Sequence, residues 1–243
     1  MVMENYCVGG IDLRTAEVRQ AALLGAAVRR VLEQAGIDCS VSTSRSMVDA
    51  ARFAGIPLPR LRQMIEYALY EAHPRSCRID WRDRSNFEII RFLMKNHHQY
   101  LDDRLPFIDG LFRRVLERHQ DHRAMHSKLH IRFQIAATQL LPHMRQEERY
   151  FFPALMTGEL GWSLPGMARK LEEEHREIRE LMGRIRRTVQ ADLPAEEAPP
   201  AVQMLYQELR ELEEMLREHL FLENNILFPR ASPAWQPCPQ LMR

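Results

Sequence analysis

Residues 143–153 read His143-Met144-Arg145-Gln146-Glu147-Glu148-Arg149-Tyr150-Phe151-Phe152-Pro153, and residues 219–229 read His219-Leu220-Phe221-Leu222-Glu223-Asn224-Asn225-Ile226-Leu227-Phe228-Pro229. Both follow H-x3-E-x4-F-P, and the second copy begins 76 residues after the first. On a helix, an i, i+4 pair puts both side chains on one face about one turn apart. A single H-x3-E arises easily by chance; a doubled one with a matched Phe-Pro does not. Two further histidines, His98 and His175, stand 77 residues apart. The pattern predicts two copies of a helical pair. Each gives one histidine from its first helix and H-x3-E from its second.

Working outward, four amphipathic segments carry these residues, at roughly 85–118, 123–156, 164–190 and 200–228. Ser85-Asn86-Phe87-Glu88 is a capping box that opens the first. The stretch Ala191 to Pro200 reads as a loop. Four helices with short connections imply an antiparallel bundle. Its seams should be apolar at alternating spacings of three and four. The first reads Phe87, Ile90, Met94, His98, Leu101, Leu105, Ile108, Phe112, Val115. The second reads Ala136, Leu140, His143, Glu147, Tyr150 or Phe151, Ala154. The third reads Leu171, His175, Ile178, Met182, Ile185, and the fourth Leu205, Leu209, Leu212, Leu216, His219, Glu223, Ile226 or Leu227. Every seam holds a histidine, and two add a glutamate one turn later.

An ionised carboxylate buried without a partner costs several kcal/mol, against a total domain stability of about 5–15 kcal/mol. Any one of the histidines could be a core residue satisfied by hydrogen bonds. Four histidines and two glutamates together need compensation, and a pair of cations supplies it. Imidazole and carboxylate without thiolate suit Fe or Mn, and Zn less well; the bundle setting favours a di-iron or di-manganese centre. Two octahedral ions need about twelve positions, of which four imidazoles, two bridging carboxylates and one oxo or hydroxo bridge supply about ten. Open positions for water, O2 or NO make the site reactive rather than purely structural.

The rest of the chain bounds the reading. Hydrophobic residues are 45% and charged residues 28%, enough apolar matter for a sizeable core. The formal net charge of +1 gives no electrostatic case for nucleic acid. No apolar run approaches the ~18 residues of a membrane span, and the N-terminus has no signal-peptide pattern. Cys7, Cys39, Cys77 and Cys238 are far apart and form no disulfide framework. A cytoplasmic location is expected. The fold class is all-α. Residues 1–78 read as a small helical domain, with helices through Ala16 to Val31, Ser46 to Phe53, and from Pro57-Pro59 to His73-Pro74. Residues 79–231 read as the four-helix bundle, and 232–243 as a disordered Pro-rich tail.

These residues resemble the hemerythrin-like fold and, within it, the bacterial RIC family (repair of iron centres). The resemblance rests on Asp80-Trp81-Arg82, on His143-Met144 through Glu147-Glu148 to Phe152-Pro153, on Glu174-His175, and above all on His219 through Leu222-Glu223-Asn224-Asn225 to Pro229-Arg230. It implies six metal ligands, His98, His143, Glu147, His175, His219 and Glu223, the six already found on the seams. His97 sits about 100° off the stripe and is the lesser alternative to His98. The implied cofactor is two Fe ions, oxo- or hydroxo-bridged. The implied function is repair of iron–sulfur clusters damaged by nitrosative or oxidative stress, by iron donation or by reaction of the centre with NO. Damaged iron–sulfur proteins would be its partners and NO or O2 its small ligands. The alternative is an NO- or O2-binding scavenger or sensor, or an enzyme reducing NO. A homodimer is left open.

Two departures stand out. Oxygen-carrying hemerythrins typically place a second histidine one turn after the third-helix ligand, where this chain has Arg179. RIC proteins typically carry Cys-Cys-Gly-Gly in the N-terminal domain, where this chain has Cys39-Ser40-Val41-Ser42. Cys39 is thus either a lone functional thiol or a small buried hydrophobe. The similar Cys7-Val8-Gly9-Gly10 precedes the helix instead of following it. Gln139, one turn before His143, and Tyr150, three residues after Glu147, are candidates for contacting the ligands or a bound diatomic. His122, His126 and His130 read as a solvated polar stripe, and Glu172-Glu173-Glu174 as a solvated face.

Overall fold

The computed structural model describes residues 7–8, 11–40, 44–71, 81–118, 122–157, 163–191 and 198–231. The Cys7-Val8-Gly9-Gly10 and Cys39–Ser42 motifs are therefore covered only in part, and Cys77, Cys238 and the tail lie outside. Helix dominates, as a chain rich in Leu, Arg, Glu, Ala and Met dictates, and the all-α reading holds. The extended pairing among the described residues is a two-residue antiparallel ladder, β1 (Cys7–Val8) on β2 (Ile11–Asp12), with one isolated bridge between Glu17 and Ser46.

The chain divides into two compact units, Met1–Ser85 with Leu220–Arg243, and Asn86–His219. In the first, α1 (Val18–Ala22), α2 (Ala26–Gln34), α3 (Met47–Phe53) and α4 (Leu58–Glu71) surround Leu13, Val28, Leu32, Met47, Leu61 and Ile65, all 0% exposed. The helix expected through Ala16 to Val31 is two helices. Gly25 parts them at φ 138°, a conformation that a side chain would strain. Ser46 caps α3 by accepting from the Asp49 amide at 3.0 Å. The C-terminal turns belong to the same unit. Asn224 Nδ2 donates to the Ser40 carbonyl (2.7 Å), and Arg230 donates to the carbonyls of Arg82 and Arg84 (2.9 and 2.8 Å). The Arg29 guanidinium lies 4.7 Å from the centre of the Phe221 ring.

The second unit is built on four long helical runs. The first comprises α5 (Asn86–Leu93), a π turn (Met94–His98) and α6 (Gln99–Arg118). The second comprises α7 (Arg123–Gln146), a π turn (Glu147–Phe151) and α8 (Phe152–Thr157). The third is α9 (Ser163–Gln190). The fourth is α10 (Pro200–Leu222), whose last three residues, with the π turn (Glu223–Leu227) and α11 (Phe228–Ala231) that follow, fall in the first unit. The α7 helix packs against both α6 and α9. Phe112, Phe133, Leu140, Ile178, Leu205 and Leu212 lie in one core, each at most 1% exposed.

The π turns have local causes. Pro153 and Pro229 have no amide to donate, and their rings crowd the carbonyl four residues back. The chain widens there, so the Phe152 amide bonds the Glu147 carbonyl and the Phe228 amide bonds the Glu223 carbonyl, each five residues back. At the first π turn, the Gln99 amide bonds the Met94 carbonyl. Asn96 and Asn225 each turn a side-chain amide onto the carbonyl four residues back, Phe92 and Phe221, both at 3.0 Å. Each widening inserts one residue into the helical phase. Upstream of His98 the seam therefore slips. Ile89, Ile90 and Leu93 are buried, while Phe87 is 55% exposed and Met94 36%. From His98 onward the expected seam is the buried one.

Of the His122, His126 and His130 stripe, only His122 is exposed. His126 is buried, with Nε2 3.1 Å from the Tyr206 hydroxyl. His130 stacks on Phe112, ring centres 4.7 Å apart, and Nε2 donates to Asp109 at 2.6 Å. Burial pushes the Asp109 carboxyl up; the bond from His130 and the Arg113 guanidinium (2.6 Å) outweigh it and hold it below its usual range. A depressed carboxyl stabilises the fold above its unfolded value, near pH 4, and loses that contribution as pH falls through its folded value. Asp109→Asn is therefore expected to cost about 0.5–1 kcal/mol at pH 7. Urea melts from pH 7 to pH 3 should show the difference closing; a pH-independent difference would trace it to packing.

Candidate metal centre

Five seam residues, the histidines of α7, α9 and α10 and the glutamates that open the π turns after α7 and α10, meet at one level. Ligand atoms of His143, Glu147, His175, His219 and Glu223 all lie within 4.8 Å of one another, and all five residues are buried. Glu147, His175, His219 and Glu223 are 0% exposed. Glu147 is the hub. Its Oε1 lies 2.9 Å from His143 Nε2 and 3.6 Å from His175 Nε2. Its Oε2 lies 3.5 Å from His98 Nε2 and 3.8 Å from His219 Nε2. Burial pushes this carboxyl up, and the surrounding imidazoles of His143, His175 and His219 outweigh it, holding it well below the usual range.

Protons decide what the cluster can hold. His143 Nδ1 donates to Glu174 Oε2 at 2.8 Å, and His98 Nδ1 donates to Glu148 Oε1 at 2.9 Å. With the proton held on Nδ1, the neutral ring aims an Nε2 lone pair inward. Neither Glu147 oxygen nor His98 Nε2 makes a hydrogen bond of normal geometry among the described residues. His143 and His175 bring their Nε2 atoms to 2.9 Å. The buried Glu147 carboxylate needs positive charge among these nitrogens, supplied either by protons on the imidazoles or by a cation in their place. The donor set therefore fits a metal, with nitrogen and oxygen ligands and no thiolate.

All six residues expected from the seams are buried, and His98 reaches the cluster through Glu147. His97 is buried too, because the π turn brings both neighbours inward, but its Nε2 faces Glu218 at 3.7 Å. Gln139 borders a hollow of about 250 Å3 beside His143 and Glu174, with its Oε1 buried and unbonded among the described residues. Tyr150 is 53% exposed under the Arg149 guanidinium, and Phe151 takes the inward place. Cys39 is buried, with Sγ 3.6 Å from the Ile37 carbonyl.

Residues 90–231, more than half of the chain, match the family described as Hemerythrin HHE cation binding domain. The chain is 31% identical over 169 residues to the Iron-sulfur cluster repair protein YtfE of Escherichia coli O17:K52:H18 (strain UMN026 / ExPEC), covering 70% of this chain and 76% of that protein. It is 32% identical over 168 residues to the protein of the same name from Escherichia coli O81 (strain ED1a), and 31% over 168 residues to that of Escherichia fergusonii; each alignment covers 69% of this chain and 76% of the relative. The chain belongs to the RIC family of hemerythrin-like proteins. As a RIC protein it carries a cation-binding domain, and a buried His/Glu cluster that could hold a metal ion lies in its sequence range. No helix among the described residues is long and apolar enough to cross a membrane.

Glu148 and Glu174 are the functional residues that the sequence reading missed. Both lie beside the seam, where a carboxylate reads as solvent-facing. The available signal was adjacency: each directly neighbours a seam residue, Glu147 or His175. Burial raises the Glu174 carboxyl less than the hydrogen bond from His143 lowers it, with Lys170 adding attraction. Carboxylates that orient a ligating imidazole typically contribute 10–100-fold in metal affinity. Glu174→Gln and Glu148→Gln are each expected to weaken iron binding by about tenfold or more, read by competition with a chromogenic chelator. Parent-like affinity in both would remove the orienting role.

Proposed function

We propose that this chain holds two iron ions on His98, His143, Glu147, His175, His219 and Glu223, and that it takes part in repairing iron–sulfur clusters damaged by nitric oxide or oxidants. The observation that carries the reading is the convergence of imidazole Nε2 atoms and buried carboxylates in a chain whose relatives are named for iron–sulfur cluster repair. When bound, the iron supplies a source of metal for a damaged cluster and a site of reaction with NO. The chain's own residues hold that iron in a water-poor interior. Glu147 and Glu223 carry the negative charge that two cations require, and Glu148 and Glu174 keep the Nδ1 protons of His98 and His143 away from the metal side.

Residues 79–231 form the working domain in this reading, and 1–78 a separate helical domain. The expected setting is the cytoplasm, with damaged iron–sulfur proteins as partners. Cys39 does not stand in for the family's vicinal dithiol, since Ser40 follows it.

The test mixes the iron-loaded chain with an enzyme whose four-iron cluster has been destroyed by NO and follows the return of activity. Recovery faster than with an equal amount of free ferrous iron, and lost in Glu147→Ala, is the expected result. Recovery no better than with free iron overturns the repair reading. Steady turnover of NO with a reductant, in place of a reaction that stops once the metal is consumed, would favour an NO-reducing enzyme.

A further inference from the structure

A cavity of about 800 Å3 opens in the Asn86–His219 unit where the start of α7 meets the end of α9. Arg132, Arg184 and Arg187 line it with His122, Met125 and Thr188, and no carboxylate among the described residues does. That is unusual for this chain, whose 34 basic and 33 acidic side chains are nearly balanced. Elsewhere on the bundle arginines meet acids: Arg113 meets Asp109 at 2.6 Å, Arg145 meets Asp102 at 2.9 Å, and Arg217 meets Glu213 at 2.9 Å. Here Arg132 donates instead to a neutral group, the Thr188 hydroxyl, at 2.6 Å, and Thr188 donates onward to the Arg184 carbonyl at 3.0 Å. The Arg187 guanidinium folds back over Gly183, where a Cβ would stand 3.6 Å from its Nη1. The α7 helix begins beside it at His122, φ 62°, with no side-chain cap and no acid in its first turn.

Arg187 also answers the carbonyl end of α9. That role does not call for Arg132 and Arg184 on the same hollow. Three guanidinium groups around a concave space hold phosphate oxygens in two-pronged contacts, which a flat surface of lysines does not. The volume lies within the ~300–1,000 Å3 of small-molecule sites. Arg132 stands eleven residues before His143 on α7, about 16 Å along the helix axis, so the hollow is separate from the metal centre.

We propose that this cavity binds a small anion bearing a di- or triphosphate group. The test is calorimetric titration of the full iron-loaded chain with inorganic tripolyphosphate and, separately, with ATP. Saturable one-to-one binding is expected. Arg184→Ala/Arg187→Ala should weaken it by about tenfold or more, the scale of losing charge-assisted hydrogen bonds. Arg132→Lys should weaken it as well, because an ammonium keeps the charge without the fork. The control Arg91→Ala/Arg169→Ala, at two exposed arginines away from the hollow, should leave it unchanged, and all variants should keep the parent's melting temperature and iron content. Tighter binding of ATP than of tripolyphosphate identifies a nucleotide, and equal binding identifies the phosphate chain alone as the recognised group. No saturable binding, an equal loss in the control, or displacement of tripolyphosphate by a lower concentration of a poly-glutamate peptide overturns the proposal.

Discussion

Glu147→Ala should empty the centre, taking the chain from about two irons, the complement of a di-iron bundle, to well below one. Its carboxylate is the point toward which the Nε2 atoms of His98, His143, His175 and His219 converge, at 2.9–3.8 Å. Alanine leaves the imidazoles but removes the carboxylate, and with it the negative charge that would offset bound cations. Glu223→Ala, at the matching place in the second motif, should act in the same direction. Elemental analysis and the visible spectrum of protein made in iron-replete cells decide the matter. A parent that carries no iron, or a Glu147→Ala protein with the parent's iron and spectrum, would refute the ligand set.

The second large effect is on stability. Stripping the metal is expected to cost about 3–5 kcal/mol, since a ligand held at a thousand times its dissociation constant contributes about 4 kcal/mol and uncompensated buried charges add to the loss. Urea melts of iron-loaded and chelator-treated protein measure it. Glu147→Leu sharpens the test. In metal-free protein it should be neutral or stabilising, because it replaces a buried charge with an apolar group of similar size. If metal-free Glu147→Leu were instead about 2 kcal/mol less stable than the metal-free parent, the carboxylate–imidazole contacts alone would be holding this part of the core together.

Much of this was legible in the sequence, and for a physical reason. Periodicity reports which face is buried, and the anomaly was six ionisable residues on a face that should be apolar. That these six lie inside, and that four long helical runs carry them, follows from spacing alone. Where periodicity is interrupted the reading slipped. Phe87 and Met94 looked inward because a regular helix was assumed through Met94–His98, where the chain widens. The Ala16 to Val31 run looked continuous because an apolar pattern does not register Gly25. Glu148 and Glu174 were invisible for the opposite reason: a carboxylate beside a seam has the same pattern whether it meets water or an imidazole. Proline alone did not reveal the π turns before Pro153 and Pro229, since α6 and α7 run as α-helix through Pro106 and Pro142.

Those widened turns bear on how portable the site is. The eleven-letter motif is only half of the specification; the other half is a backbone that gains a residue at each glutamate. Grafted onto a straight, idealised bundle, the same letters would point the downstream half of each helix at a different wall. A designer wishing to transplant this centre would have to carry the phenylalanine–proline step along with the histidine and the glutamate.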